Sequence, residues 1–329
     1  MKKLSTVVLV ALALSFACSL NLDDIKDPRD GELGRLHFSG GGGCNNSTTI
    51  ALGATAKMTM EPLTGEPLPQ DLNPRSSAPS IISASRGSEY NELVLKALKE
   101  GRALIEILSS GSIYDRLEFS TAAAHSARYT IAADVFAGGH LAVKVDEIYG
   151  ECGQNCPLIG GDFIQWSGNP PGAFAVESHE DRSALYLIKG SGRINILGRE
   201  PSANRVLVDH LVEVLPADQA GSIRCKSTIA YLGQDPTVFD QCPLQVRSGA
   251  MMLIELAKML DDGRLVPIAG ADIAWTSSDE KVVKPWPEDA GGQSPEGKIF
   301  AAENPGQAKL TAVIALTKDT FSFDLTVTE

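Results

Sequence analysis

One order of features recurs three times along this chain, and the recurrence limits the fold more than any other property of the sequence. A repeat of this kind means that one supersecondary plan is used again, so whatever one segment forms the others must form too. Each segment opens with a glycine followed by alternating apolar residues: Gly53 before Met58-Thr59-Met60, Gly138 before Val143-Lys144-Val145, and Gly249 before Ile254-Glu255-Leu256. A turn follows, at Thr64-Gly65, at Gly153-Gln154-Asn155 and at Asp262-Gly263. Next comes a strand leading into a polar corner, Ile164-Gln165-Trp166-Ser167 in the second segment and Ile273-Ala274-Trp275-Thr276-Ser277-Ser278-Asp279 in the third; the first keeps only Ser76-Ser77. Apolar pairs succeed the corners: Ile81-Ile82, Phe174 with Val176, and Val282-Val283. A second glycine then introduces two more alternating apolar residues: Gly101 with Ala103 and Ile105, Gly192 with Ile194 and Ile196, Gly306 with Ala308 and Leu310. Closing strands are expected over 117–121, 206–214 and 321–327.

Period-two alternation puts every second side chain on one face of a sheet, and that face must be buried against something. One hairpin cannot do this alone, whereas about seven strands in two sheets share a core of ~100 residues. Short apolar stretches, low aromatic content (6%) and abundant glycine (31 residues) fit several small β units better than one large enzyme core. The expectation is an all-β chain of three tandem immunoglobulin-like β-sandwich domains, over 33–123, 124–216 and 217–329. Residues 91–109 and 251–260 also read as amphipathic helices. The repeat register favours strands there, because the matching stretches 184–192 and 298–306 make poor helices.

The third segment carries a family resemblance. Leu260-Asp261-Asp262-Gly263, Ile273 to Asp279, Val282-Val283, Gly297 and Gly306-Gln307-Ala308-Lys309-Leu310 together resemble the group 2 bacterial immunoglobulin-like domain, which also occurs in stalks of intimin- and invasin-type adhesins. The second segment has a looser version, with Trp166-Ser167-Gly168-Asn169 at the corner, and the first lacks the tryptophan. The resemblance implies a β-sandwich with an envelope or surface role and supplies no catalytic residue.

The N-terminus sets the expected compartment. Lys2 and Lys3 precede an apolar run from Val7 to Phe16 that ends in small residues, the pattern of a secretory signal peptide over 1–17. Ser15-Phe16-Ala17-Cys18 resembles a lipoprotein signal, in which Cys18 would carry the lipid and anchor the chain to a membrane. Ser15 and Ala17 equally suit an ordinary signal peptidase, which would leave the protein periplasmic or secreted. Residues 18–32, rich in Asp23, Asp24, Asp27 and Asp30, read as a flexible tether. Export would remove two lysines and no acid, moving the formal charge from −12 to −14, which argues against nucleic acid as a partner.

An oxidising compartment makes disulfides the expected use of the cysteines. Cys152 pairs naturally with Cys156 across the Gly153-Gln154-Asn155 turn, and Cys225 with Cys242, pinning the start of the third segment. Cys44 is then left over, or pairs with Cys18 if Cys18 is not lipidated. Cys-x3-Cys without a nearby histidine is not a zinc or thioredoxin-like spacing. His37, His125, His140, His179 and His210 form no metal-binding grouping, and Gly40 to Gly43 lacks the lysine of a phosphate loop. His179-Glu180-Asp181 and Asp261-Asp262 read as solvated turns. No catalytic, metal or cofactor-binding residue is therefore expected.

Two functions follow. The first is a non-catalytic, structural or adhesive lipoprotein of the outer membrane or cell surface, meeting protein or glycan ligands through sheet edges or long loops around 149–161 and 288–296. The second is a carbohydrate-binding accessory protein, for which Trp286 with Tyr149 is the available aromatic pair.

Overall fold

The computed structural model describes residues 27–40, 47–180, 182–286, 293–294 and 297–329; Cys18, Cys44 and the signal segment lie outside them. The described chain is almost wholly β. Its first sheet pair contains β1 (Leu36–Gly40), β2 (Thr49–Ala51), β3 (Thr55–Pro62), β4 (Asn73–Ser76), β5 (Ile82–Arg86), β6 (Glu92–Ala97), β7 (Gly101–Ser109) and β8 (Ser112–Ala122). The second contains β9 (Ser126–Ile131), β10 (Asp134–Phe136), β11 (His140–Tyr149), β12 (Pro157–Leu158), β13 (Gln165–Asn169), β14 (Phe174–Glu180), β15 (Ser183–Ile188), β16 (Gly192–Glu200) and β17 (Arg205–Leu215). The third contains β18 (Gly221–Ala230), β19 (Thr237–Phe239), β20 (Gln245–Arg247), β21 (Met251–Leu260), β22 (Leu265–Ile268), β23 (Ile273–Ser277), β24 (Val283–Pro285), β25 (Gln293–Ser294), β26 (Gly297–Ala302), β27 (Gly306–Ile314) and β28 (Thr320–Thr328).

Each pair is wired alike. In the first, the sheets run β1-β3-β6-β5 and β2-β8-β7-β4. The corresponding central orders are β11-β15-β14 with β10-β17-β16-β13, then β18-β21-β26-β24 with β20-β28-β27-β23. In every pair a short strand crosses over and pairs parallel with the last one: β2 with β8, β10 with β17, β20 with β28. All other ladders are antiparallel, which is the immunoglobulin-like plan. Both amphipathic segments that invited a helix, 91–109 and 251–260, are strands.

The repeated glycines explain the wiring. Gly53, Gly138 and Gly249 have φ of 82°, 77° and 85°, a region closed to most L-residues. Each donates its N–H to the last or near-last carbonyl of the corresponding strand, Ala97, Ile188 or Ala302, at 2.8–3.1 Å. The chain thereby turns from the crossover strand into the opposite sheet. The apolar residues that follow are buried as alternation requires: Met58 and Met60, Val143 and Val145, Ile254 and Leu256. Met58 and Met60 share an interior with the other sheet's Ile105 and Phe119, Val143 with Ile194 and Val212, and Ile254 with Leu310 and Leu325, whereas Val145 and Leu256 belong to the clusters that reach the neighbouring sandwich.

Register also resolves the missing tryptophan. Trp166 pairs with Gly198 and Trp275 with Ala312, each six residues beyond its landmark glycine. In the first pair that place belongs to Ile107, opposite buried Pro74. A small residue lies under each ring and a large one under the proline, so the volume of the rung is shared out differently. Pro74 is tolerated because β4 is an outer strand. The polar corner survives without the tryptophan. Ser77 and Leu104 exchange bonds, the Ser77 N–H to the Leu104 carbonyl and the Leu104 N–H to the Ser77 hydroxyl, and Ser278 with Lys309 does the same.

One expected boundary shifts. Residues 27–32, read as the end of the tether, are folded onto the first sandwich. Arg29 is buried and reaches the Gly40 carbonyl at 2.8 Å. The fully buried Asp115 carboxylate accepts the N–H groups of Leu33, Arg35, Leu36 and Arg116 at 2.8–2.9 Å. Acidic composition does not reveal this for 27–32, because Asp115 and, at Gly40 and Ser47, Arg29 bind backbone groups that every residue carries.

Candidate functional site

The places where polar and apolar groups converge are the junctions between successive sandwiches. At the first junction the segment between β11 and β13 lies along β2. Ala51 N–H donates to the Ile159 carbonyl at 2.9 Å and Ile159 N–H to that of Thr49 at 2.8 Å. Thr55 and Gly161 exchange two further backbone bonds at 3.0 and 2.9 Å. Ile50, Ala54, Ile148, Leu158, Ile159 and Phe163 share one buried cluster with the first sandwich. Arg182, itself buried, donates to the carbonyls of Gly160 and Leu158 at 2.9 Å and of Asp146 at 3.3 Å. A cation is held there by carbonyl dipoles and ties the segment down.

The second junction uses equivalent positions. Thr55 stands two residues after Gly53, and His140 stands two after Gly138. His140 N–H donates to Asp272 Oδ2 at 2.8 Å, its Nδ1 lies 2.7 Å from Asp272 Oδ1, and its Nε2 lies 2.8 Å from Glu177 Oε2. Burial disfavours the imidazolium, but the hydrogen bonds and charges of Asp272 and Glu177 outweigh it and raise the His140 pKa above its ordinary value. Asp272 is buried, and its carbonyl accepts from Ala315 N–H at 2.8 Å. Phe136 and Leu215 of the second sandwich pack with Leu256, Val266, Ile268 and Ile314 of the third. At the rim, Arg264 bridges Asp134 at 3.2 Å and Glu213 at 3.1 Å while also binding Asp262 at 2.8 Å.

Both expected disulfides are present. Cys152 joins Cys156 with a Cα separation of 5.4 Å, across a 3-10 turn at Gly153–Asn155, and Cys225 joins Cys242 at 5.2 Å. The loop 149–161 differs from its expected part as a free contact loop. Its tip, including Glu151 and Gln154, is exposed, but Gly150 and Leu158 to Gly161 are buried against the first sandwich, because Leu158 and Ile159 are the apolar residues that seal the junction. Tyr149 is buried as well, its hydroxyl bonded to Glu147, so it forms no exposed aromatic platform with Trp286. Of the other loop, 288–296, only β25 is described. An open groove of about 660 Å³ lies between the 149–161 loop and Ser47, Thr49 and Ala122; Glu151 is the ionisable residue lining it.

The remaining candidates are dispersed. His37 binds Asp30 at 2.8 Å, and His210 stacks edge-on against Tyr129 with its pKa lowered by burial. No group of three or more His, Cys, Asp or Glu suited to a metal occurs among the described residues. Asp262 is exposed as a turn residue would be, though paired with Arg264. His179, Glu180 and Asp181 have side chains outside the description. Sequence reasoning passed over His140, Asp272, Arg182 and Arg264. The available signal was position: His140 follows the landmark glycine at the place where Thr55 makes the other junction.

No family model matches the chain, and no curated protein matches it. Solved structures similar to it include domains 4–9 of surface layer protein SbsC (TM-score 0.31, 11% identity, 89% of this chain and 47% of that one). Others are invasin, a bacterial integrin-binding protein (0.26, 14%, 85% and 57%), and SGBP-B of the Bacteroides ovatus mixed-linkage glucan utilization locus, in complex with a heptasaccharide (0.30, 8%, 88% and 75%). The chain spans about half the length of the first two. Scores this low carry no argument about function. The sheets themselves define the class, an all-β protein of immunoglobulin-like sandwiches, and no helix among the described residues is long and apolar enough to cross a membrane.

Proposed function

We propose that this chain is an exported, non-catalytic envelope protein, anchored through Cys18, whose sandwiches of the group 2 bacterial immunoglobulin-like type hold a contact surface for protein or glycan ligands at a fixed distance from the membrane. The observation that carries this reading is the repeated junction. A spacer needs joints that do not hinge, and inter-domain interfaces swivel unless they are well buried and bonded. Here Thr55 with Gly161 and His140 with Asp272 are bonded at matching places, and each joint is sealed by apolar side chains. Supporting the non-catalytic part, the buried groups Arg29, Asp115, Arg182, Glu200 and Asp272 bond backbone or a neighbouring sandwich, and buried Lys258 pairs with Asp319.

The test is fractionation of cells expressing the full chain with a C-terminal epitope, alongside Cys18→Ser. The expected result is detergent-extractable envelope protein whose epitope is reached on intact cells, converted by Cys18→Ser to a soluble exported form. Retention in the cytoplasm would end the reading; soluble export of both forms would remove the lipid anchor alone.

A further inference from the structure

The third sandwich carries an addition that the second lacks. Between β9 and β10 there are only Ala132 and Ala133, whereas β18 and β20 are separated by residues 231–244. This arm folds back as β19, antiparallel to β18 with Ser227 opposite Phe239 and Ile229 opposite Thr237, and the Cys225–Cys242 disulfide staples it down. It is conspicuously apolar for an exposed element. Leu232 (74%) and Leu244 (69%) are the most exposed large apolar side chains of the described chain, and Val238 (56%) and Phe239 (39%) lie between them. Leu158 and Ile159, in a different connection of the second sandwich, are apolar loop residues that are buried against a neighbour; the exposed apolar residues of the arm have none among the described residues.

End-to-end contacts at the two junctions form at a different place from this arm. The position that Ala51 and Phe136 occupy at the two junctions belongs in the third sandwich to Arg247, exposed and lying over the Tyr231 ring at 4.7 Å. What remains open is the edge. β19 is the outer strand of its sheet, with β18 on one side. Outer strands usually carry a device against strand addition, as β4 does with Pro74 and Arg75 and β24 with Lys284 and Pro285. The three residues Thr237-Val238-Phe239 carry no proline, charge or bulge of their own; Pro236 precedes them and limits an added strand to a short pairing. Asp235 and Asp240 stand at its two ends, both exposed and neither in an ion pair among the described residues.

Those carboxylates choose the occupant. Pairing β19 with β19 of a second copy would bring four of them together without a cation, on chains that already carry a formal charge of −12. A strand with lysine or arginine at its ends would be matched at both. We propose that β19 is a docking edge that takes up an extended segment of a partner protein, apolar in the middle and basic at its ends, as an added antiparallel strand. Main-chain hydrogen bonds would hold it, with Val238, Phe239, Leu232 and Leu244 receiving its side chains. The inference rests on the reading of the chain as a non-catalytic interaction protein and says where one partner sits.

The test uses fluorescein-labelled peptides Lys-Val-Thr-Val-Thr-Val-Lys and its twin with glutamate at both ends, titrated against the full exported chain by anisotropy. The expected result is saturable binding of the lysine peptide, roughly tenfold tighter than the glutamate twin at low salt. Val238→Pro should abolish it, and Asp235→Lys with Asp240→Lys, two surface changes that leave the core untouched, should reverse the preference. Absence of saturable binding, a preference that survives the charge reversal, or concentration-dependent dimerisation through β19 in sedimentation would overturn the proposal. If these fail while the chain still reaches the cell surface, the docking edge is wrong and the envelope role stands.

Discussion

His140 and Asp272 are separated by 132 positions in sequence, yet both oxygens of the Asp272 carboxylate are engaged by one residue, through its ring at 2.7 Å and its backbone N–H at 2.8 Å. Glu177 takes the other ring nitrogen. Two carboxylates against two nitrogens fit an imidazolium, since a neutral ring has only one N–H to offer.

The second junction should therefore depend on pH. The His140 pKa is raised in the folded chain, so its stabilisation is complete below about 6.5 and is lost as pH climbs through the raised value. His210, lowered by burial, acts in the opposite sense, its contribution being lost as pH falls through the ordinary range. Urea unfolding followed across pH should show the midpoint of the 2–3 joint falling on the alkaline side. His140→Gln should flatten that limb only, and His210→Gln the acid limb only. An alkaline limb unchanged in His140→Gln would refute the assignment.

Removing Arg182 should loosen the first junction. Arg182→Ala leaves three carbonyls without their charged donor in a buried site, at a cost of about 2–4 kcal/mol. Arg182→Lys recovers little of this, since an ammonium cannot span the same fork. Hydrogen exchange provides the readout: the amides of Ala51 and Ile159 should lose protection while those in the third sandwich keep theirs.

These groups also mark what was legible beforehand. Strand positions were readable because burial on one face imposes a period of two that local sequence records, as at Met58 and Met60 or Ile194 and Ile196. The landmark glycines were readable because positive φ narrows the choice of residue. The joints were not. Arg182 binds the carbonyls of Gly160, Leu158 and Asp146, and every residue carries a carbonyl, so these bonds leave no mark in the sequence. The loop 149–161 looked like a free loop because Leu158 and Ile159 are sealed by residues of a different repeat. Pro74 was recoverable in principle, since counting six from Gly101 finds Ile107 where the other repeats have Gly198 and Ala312.

That exchange of volume gives a packing prediction. A methyl group at Gly198 would press on the Trp166 ring, Ile164 and Val208. Gly198→Ala should cost about 1–3 kcal/mol by overpacking and shift Trp166 fluorescence. Ala312→Gly beneath Trp275 should cost a similar or smaller amount by leaving a gap. Equal tolerance of alanine at both rungs would mean that the tryptophans are not held by the residue opposite them.

The two disulfides should differ in worth. A cross-link stabilises chiefly by restricting the unfolded chain, and more so for a longer loop. Cys225–Cys242 closes a separation of 17 residues and Cys152–Cys156 one of 4. Replacing the first pair by serine should cost about 3 kcal/mol, and the second about 2 kcal/mol or less. The first replacement also frees the arm that carries β19, so proteolysis should begin within 231–244 in that variant. The second leaves Leu158 and Ile159 buried and Arg182 in place, so cleavage near Glu151 should not spread to the first junction. Fragment masses after brief chymotrypsin digestion, which can cut after Tyr231, Leu232 or Phe239, and after Glu-C digestion at Glu151 separate these outcomes, and loss of the first junction on removing Cys152–Cys156 would show that the tip, not the apolar base, holds it together.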